Sequence, residues 1–216
     1  MRKMLMIWAI IITIFNPSYS EATSFEDWMA AQTGVWSHFK FCPLAVGAAK
    51  IRTADACAKE GGGFSARRGQ SRTHGAIDLE STRQTGADIY AIGAGVVGLI
   101  GDWPNMGKLI IIDHGEGVYS LYSHLGSISV AAKQQLKGGE KLGTIGYSGN
   151  ASCLVENGLA AHVHFAVFRS GFADEAGLAK RIYLWQEYGR MKRHFKLDGF
   201  GPLNAENWLR QNACLN

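Results

Sequence analysis

The chain has 216 residues, 27 of them glycine and 4 proline, with ordinary apolar content and a formal net charge of +4. That length suits one domain with a sizeable core, alone or with additions. The many glycines point to tight turns between short strands. Solenoid-length repeats, low-complexity tracts and basic runs interleaved with aromatics are all missing, which argues against repeat proteins and nucleic-acid binders.

Residues 1–20 have the shape of a cleavable secretory signal. Arg2 and Lys3 give a basic start, "MLMIWAIIITIF" (4–15) is an apolar run, and the small residues Ser18 and Ser20 flank Tyr19. The run is short for a membrane span. The expectation is export to a periplasm or the cell exterior with no stable membrane span after cleavage. An uncleaved N-terminal anchor is the competing reading. No cysteine follows the run, which argues against a lipid anchor. Cleavage removes two positive charges and no negative one, leaving a mildly basic protein suited to an anionic polymer such as a cell wall.

Residues 24–40, "SFEDWMAAQTGVWSHFK", read as a helix, with Ser24 placed to cap it and Asp27 three residues later. Residues 41–73 hold few periodic signals, and "KEGGGFSARRGQSR" reads as a loop. From His74 to about Arg169 the pattern becomes short β-like runs split by glycines. The clearest are 88–101, 108–113, 118–125, 141–146 and 162–168. "GDWPNMG" and "DHGEG" read as turns. Residues 173–195 and 204–212 then read as helices. The plan is mainly β: an antiparallel β core with helical decoration at both ends. It divides into a signal (1–20), a helical and loop segment (21–61), the core (62–171) and a C-terminal helical extension (172–216).

Four cysteines in an exported chain suggest two disulfides. Three pairings are possible. The expectation is Cys42–Cys57, which closes a short local loop, with Cys153–Cys214. The sequence has no C-x-x-C spacing that would suggest a cysteine metal site.

Chemistry concentrates in three short stretches. In "AAHVHFAVF" (160–168), His162 and His164 are two apart, so a strand points both to one face with Ala166 and Phe168. Val163, Phe165 and Val167 take the other face. In "THGAIDL" (73–79), His74 and Asp78 are four apart, which allows one face in a helix or a strand. Together these stretches offer two imidazoles and a carboxylate, with one histidine to spare. Such a set supplies the three protein ligands of a catalytic zinc with an open fourth position. In "LYSHLG" (121–126), His124 ends a strand. With one histidine of the H-x-H pair it can serve as proton acceptor and oxyanion partner in a metal hydrolase.

"HGAIDL", "LIIIDHGEGVYSLYSHLG", "GEKLGTIGYSGN" and "HVHFAV" occur in the order and spacing of the lysostaphin-type (LytM-like) zinc metalloendopeptidases, which residues 62–170 resemble. The resemblance implies a small antiparallel β-sheet structure, a sandwich or split barrel with a groove across it. The implied substrate is a peptide bond in the stem or cross-bridge peptides of peptidoglycan. It implies Zn2+ held by His74, Asp78 and His164, with His124 and His162 as the catalytic pair acting on the water and the transition state. His114 matches a family histidine without a ligand role and reads as structural in its turn. His38 and His194 lie outside the resemblance and receive no role. The chain departs from the family after "SGN" (148–150). There "ASCLVENGLAA" is inserted, Ala160-Ala161 replace a Gly-Pro, and Ala166 replaces an acidic residue. That loop is expected to rim the groove, with Cys153 pinning it to Cys214. Non-catalytic wall-binding or amidase-activating relatives, and structural modules of an envelope complex, share the fold. The former typically lose metal ligands, whereas all five site residues are present here. No H-E-x-x-H motif supports another zinc peptidase class.

Overall fold

A computed structural model describes residues 34–68, 72–81, 86–169 and 201–216. The main antiparallel sheet has the strand order β1 (Ala49–Ile51), β4 (Ile77–Ser81), β12 (His162–Arg169), β8 (Val118–Ser123), β7 (Gly107–Asp113), β6 (Gly95–Trp103) and β10 (Gln135–Leu136). β13 (Gly201–Leu203) extends it by pairing with the C-terminal half of β12. A second sheet joins β5 (Asp88–Tyr90), β11 (Lys141–Ile145) and β9 (Leu125–Ile128), and β2 (Arg67–Arg68) pairs with β3 (Arg72–Thr73). The described residues are thus mainly β and antiparallel, as expected from the sequence, and form no closed barrel.

The alternation in β12 does what its pattern predicts. Val163, Phe165 and Val167 enter the larger core with Ile77, Leu79, Ile110 and Tyr122 from neighbouring strands and Ile89 and Leu142 from the second sheet. Ala166 and Phe168 face the opposite way, into a smaller cluster with Leu109, Ile111 and Leu121. Burying each such Leu, Ile or Phe contributes about 1.5–3 kcal/mol. Only the N-terminal end of β12 is left for polar work, and His162 and His164 occupy it.

Several local expectations are corrected. The helix over residues 24–40 is not continued to its end: Val35–His38 form a single 3-10 turn, and Phe39 is extended (φ −106°, ψ 126°). Phe39 leaves the helical path because its ring packs edge-on against Trp208 and His114. Residues 24–33 of that segment, the signal over 1–20 and the helix over 173–195 lie outside the described residues. The helix expected over 204–212 is present as Glu206–Gln211. Residues 41–73 are not featureless, since β1 and the β2–β3 pair arise there. These strands are too short for periodicity to reveal. The inserted loop holds a short helix, Ser152–Glu156.

Both expected disulfides are also corrected. The bonds are Cys42–Cys214 and Cys57–Cys153, with Cα–Cα distances of 5.3 and 6.0 Å. Pairing follows the sheet and not chain proximity. The C-terminal segment returns beside β1, where Gly47 N–H donates to the Ala213 carbonyl and Asn216 N–H to Ala49, and Trp36 stacks on Trp208. Cys42 and Cys214 are brought together there. The loop with Cys153 is pinned to the segment before β2, not to the C-terminus.

The Cys42–Cys214 bond closes a loop with a sequence separation of 172 residues. Replacing both cysteines by serine is expected to destabilise the fold by about 2–5 kcal/mol. The thermal midpoint then falls by roughly 5–15 °C, read by circular dichroism. An unchanged midpoint would show that the terminal segments hold without the bond.

Candidate metal centre

β4 and β12 pair in a register that sets His164 opposite Asp78 and His162 opposite Glu80. Asp78 alternates with Ile77 and Leu79, which enter the core, so its carboxylate stands on the same face as the two histidines. His74 comes from the turn before β4. Its Nδ1–H donates to the Gly63 carbonyl (3.1 Å), which leaves the Nε2 lone pair facing inward. That atom lies 3.2 Å from Asp78 Oδ1 and 3.0 Å from His164 Nδ1, and His164 Nδ1 lies 3.0 Å from Asp78 Oδ1.

Three acceptor-capable atoms thus crowd one point with too few protons to satisfy them mutually. Their spacing is close to the edge of a tetrahedron, about 3.3 Å for metal–ligand bonds of about 2.0–2.1 Å. All three residues are buried, and their ligand atoms form a group able to hold a metal ion. Two nitrogens and one carboxylate oxygen suit zinc, which would retain an open position toward the cleft.

Asp78 also depends on a glycine. A Cβ on Gly62 would sit 2.6 Å from the Asp78 Cβ and 2.9 Å from that of Arg52. Gly62 meanwhile accepts from Asp78 N–H and donates to the Arg52 carbonyl, each at 2.8 Å. The loop must press its backbone against the ligand strand, and only glycine leaves room.

His124 sits between β8 and β9 in the left-handed region, with φ 60°. A side chain there costs about 1–2 kcal/mol, which its contacts offset. Its backbone N–H donates to Met106, and its Nδ1–H donates to the Ser148 carbonyl, both at 2.9 Å. The Nδ1 bond fixes the tautomer and leaves Nε2 as an acceptor. The imidazoles of His124 and His162 lie 4.9 Å apart. His162 Nε2 is 3.7 Å from Asp78 Oδ1, outside the close triad. His162 Nδ1 and His164 Nε2 are buried with no hydrogen-bond partner among the described residues.

Protonation favours metal chemistry. Burial by itself would raise the Asp78 carboxyl. The surrounding histidines His74, His164 and His162 outweigh it and hold the group well below the usual carboxylate range. Burial pushes His124 well below the ordinary imidazole value, with His162 and His164 adding to the effect. Burial also lowers His164, and it takes His162 to about 4. At neutral pH His124, His162 and His164 are therefore uncharged, the state that binds metal or accepts a proton.

All five residues expected from the sequence line one cleft of about 220 Å³, together with Cys57, Ala151 and Leu154. Sequence reasoning missed Arg52 and Arg68, which line the same cleft. The only signal was a cluster of arginines ahead of His74. His114 has a structural place. Its Nδ1–H donates to Ala94 at 2.7 Å, and its Nε2 accepts from Ser120 Oγ at 2.8 Å. His38 is half exposed, 3.9 Å from Glu116, and His194 lies outside the described residues.

Comparison with known proteins agrees with this geometry. Residues 72–175 match the model of peptidase family M23. A 49-residue stretch is 41% identical to the cell division protein DipM of Caulobacter vibrioides, covering 23% of this chain and 8% of that protein. A 77-residue stretch is 38% identical to the lipoprotein YgeR of Escherichia coli, covering 35% and 30%. The chain therefore spans less than a third of either relative. Among solved structures, the catalytic domain of lysostaphin from Staphylococcus simulans is similar with 18% identity and a TM-score of 0.47, over 69% of this chain and 89% of that one. A zinc-containing peptidase from Vibrio cholerae is similar with 23% identity and a TM-score of 0.48, over 60% and 36%. Residues 72–175, just under half of the chain, are thus similar to peptidase family M23.

Proposed function

We propose that this protein is an exported zinc endopeptidase that hydrolyses peptide cross-links of bacterial peptidoglycan. The observation that carries the proposal is the convergence of His74 Nε2, Asp78 Oδ1 and His164 Nδ1 within 3.0–3.2 Å, beside two further uncharged imidazoles in one cleft. His74, Asp78 and His164 would hold the metal. Bound zinc supplies Lewis acidity at its open position and lowers the pKa of a water there to about 7.

The chain's own residues do the rest. His124 presents Nε2 as the proton acceptor, because Nδ1–H is committed to Ser148. His162, uncharged and ahead of His164 on β12, offers its ring to the oxygen on which charge develops. The cleft, whose lining includes Ala58 and Leu154, would hold an extended peptide over the five residues. The Cys57–Cys153 bond joins the segments that carry these two residues. Two disulfides suit an oxidising compartment, which supports a periplasmic or secreted location. Among the described residues no helix is long and apolar enough to cross a membrane.

The test is mass spectrometry of muropeptides released from isolated peptidoglycan by the zinc-loaded, disulfide-bonded protein. Chelator-sensitive loss of cross-linked dimers is expected, and fragment masses identify the bond. Intact cross-links, from a protein shown to hold zinc, would refute the endopeptidase and favour a wall-binding or activator role.

A further inference from the structure

The two oxygens of Asp78 have separate environments. Oδ1 faces His74, His164 and His162. Oδ2 points away from them, 3.1 Å from Arg68 NH2 and 4.0 Å from Arg52 NH1. Arg68 is itself fixed, since its NH1 donates to the Gly61 carbonyl at 2.6 Å. The side chain of Arg52 is 5% exposed, and its Nε and NH2 are taken by Asp55 at 2.6 and 2.5 Å. Arg52 therefore adds charge near Oδ2 with little freedom to bond it, and Arg68 makes the direct contact. A carboxylate with both oxygens free can clasp a metal through two bonds. One whose second oxygen is held by a guanidinium offers only one.

We infer that Arg68 is a positioning residue for the metal ligand Asp78: it retains Oδ2, so that Asp78 serves the metal through Oδ1 alone and the fourth position stays open. Four residues build this restraint. Asp55 fixes Arg52, the Gly61 carbonyl fixes Arg68, and the guanidiniums face the far side of the ligand. It fits the general pattern in which groups behind a ligating side chain set its orientation. The sequence places Arg68 ten residues before Asp78, and the antiparallel pairing of β2 with β3 accompanies its return to the carboxylate.

The inference rests on the metal-site reading above, so the test begins with the full-length protein loaded with cobalt(II) in place of zinc. A four-coordinate cobalt site absorbs strongly in the visible, and a five-coordinate one absorbs weakly. Arg68→Met frees Oδ2 for the metal, and its visible absorption is expected to fall while cobalt remains bound at one equivalent. On peptidoglycan its kcat is expected to fall about 10–100-fold, with KM little changed. Arg68→Lys, which keeps a charged donor, is expected to restore most of the absorption. A folded Arg68→Met protein with the wild-type cobalt spectrum would overturn the inference. If Arg68→Met does not fold, Arg68→Gln takes its place. Its neutral amide replaces the charge-assisted bond to Oδ2 with a weaker one, so Arg68→Ala, which leaves Oδ2 with no donor from position 68, is measured beside it, and an unchanged spectrum in a folded Arg68→Ala protein would overturn the inference equally. Failure of the wild-type protein to bind cobalt or zinc would instead refute the metal site itself.

Discussion

If the proposed function holds, a His164→Ala protein is expected to hold no stoichiometric zinc and to leave peptidoglycan cross-links intact. His164 contributes one of three atoms packed within 3.0–3.2 Å of each other, and two remaining ligands do not make a closed three-ligand site. The loss reaches far past activity. Metal analysis after dialysis reads near zero, and turnover falls to the chelator-treated background. The fold survives, because Val163, Phe165 and Val167 anchor β12 in the core from the opposite face. A His164→Ala protein that keeps tight zinc would move the third ligand elsewhere, and His162, 3.7 Å from Asp78 Oδ1, would be the nearest candidate.

His162→Ala separates chemistry from metal binding. Its Nε2 stands outside the close triad, so zinc is expected to stay at one equivalent. Its ring faces His124 across 4.9 Å, on the side where a scissile peptide would lie. Removing a positioned proton-transfer or oxyanion partner costs about 10²–10⁴-fold in rate, or roughly 3–5 kcal/mol of transition-state stabilisation. The fall is expected in kcat and kcat/KM alike, with KM near that of the wild type, because the group acts only in the transition state. Zinc loss as complete as in His164→Ala would show that the two histidines do not divide the roles in this way.

Much of the site was legible because strand geometry is a rule of two. His162 and His164 had to share a face once residues 162–168 were read as a strand, and the alternation of Val163, Phe165 and Val167 fixed which face met the core. The five site residues were then assembled by resemblance to a family with fixed motif order. The signals that failed were short or distant ones. β1 has three residues and β2 and β3 two each, too few for alternation to show. The turn at Val35–His38 ends because Phe39 finds aromatic partners far along the chain, a tertiary contact that overrides a local helix signal.

By itself, then, the amino-acid sequence determined the β class, the strand that carries the paired histidines and the terminal helix, through local periodicity and turn residues. The candidate metal-centre residues came from the resemblance of their motifs to a family. The tertiary structure alone decided which cysteines meet, which oxygen of Asp78 faces the histidines, and that Arg68 and Arg52 stand behind it. Cys42 pairs with Cys214 and Cys57 with Cys153 because sheet order, not separation along the chain, sets what lies adjacent. Side chains brought together by non-consecutive strands leave no periodic trace in the order of residues, and their contacts exist only once the sheet has closed on its core.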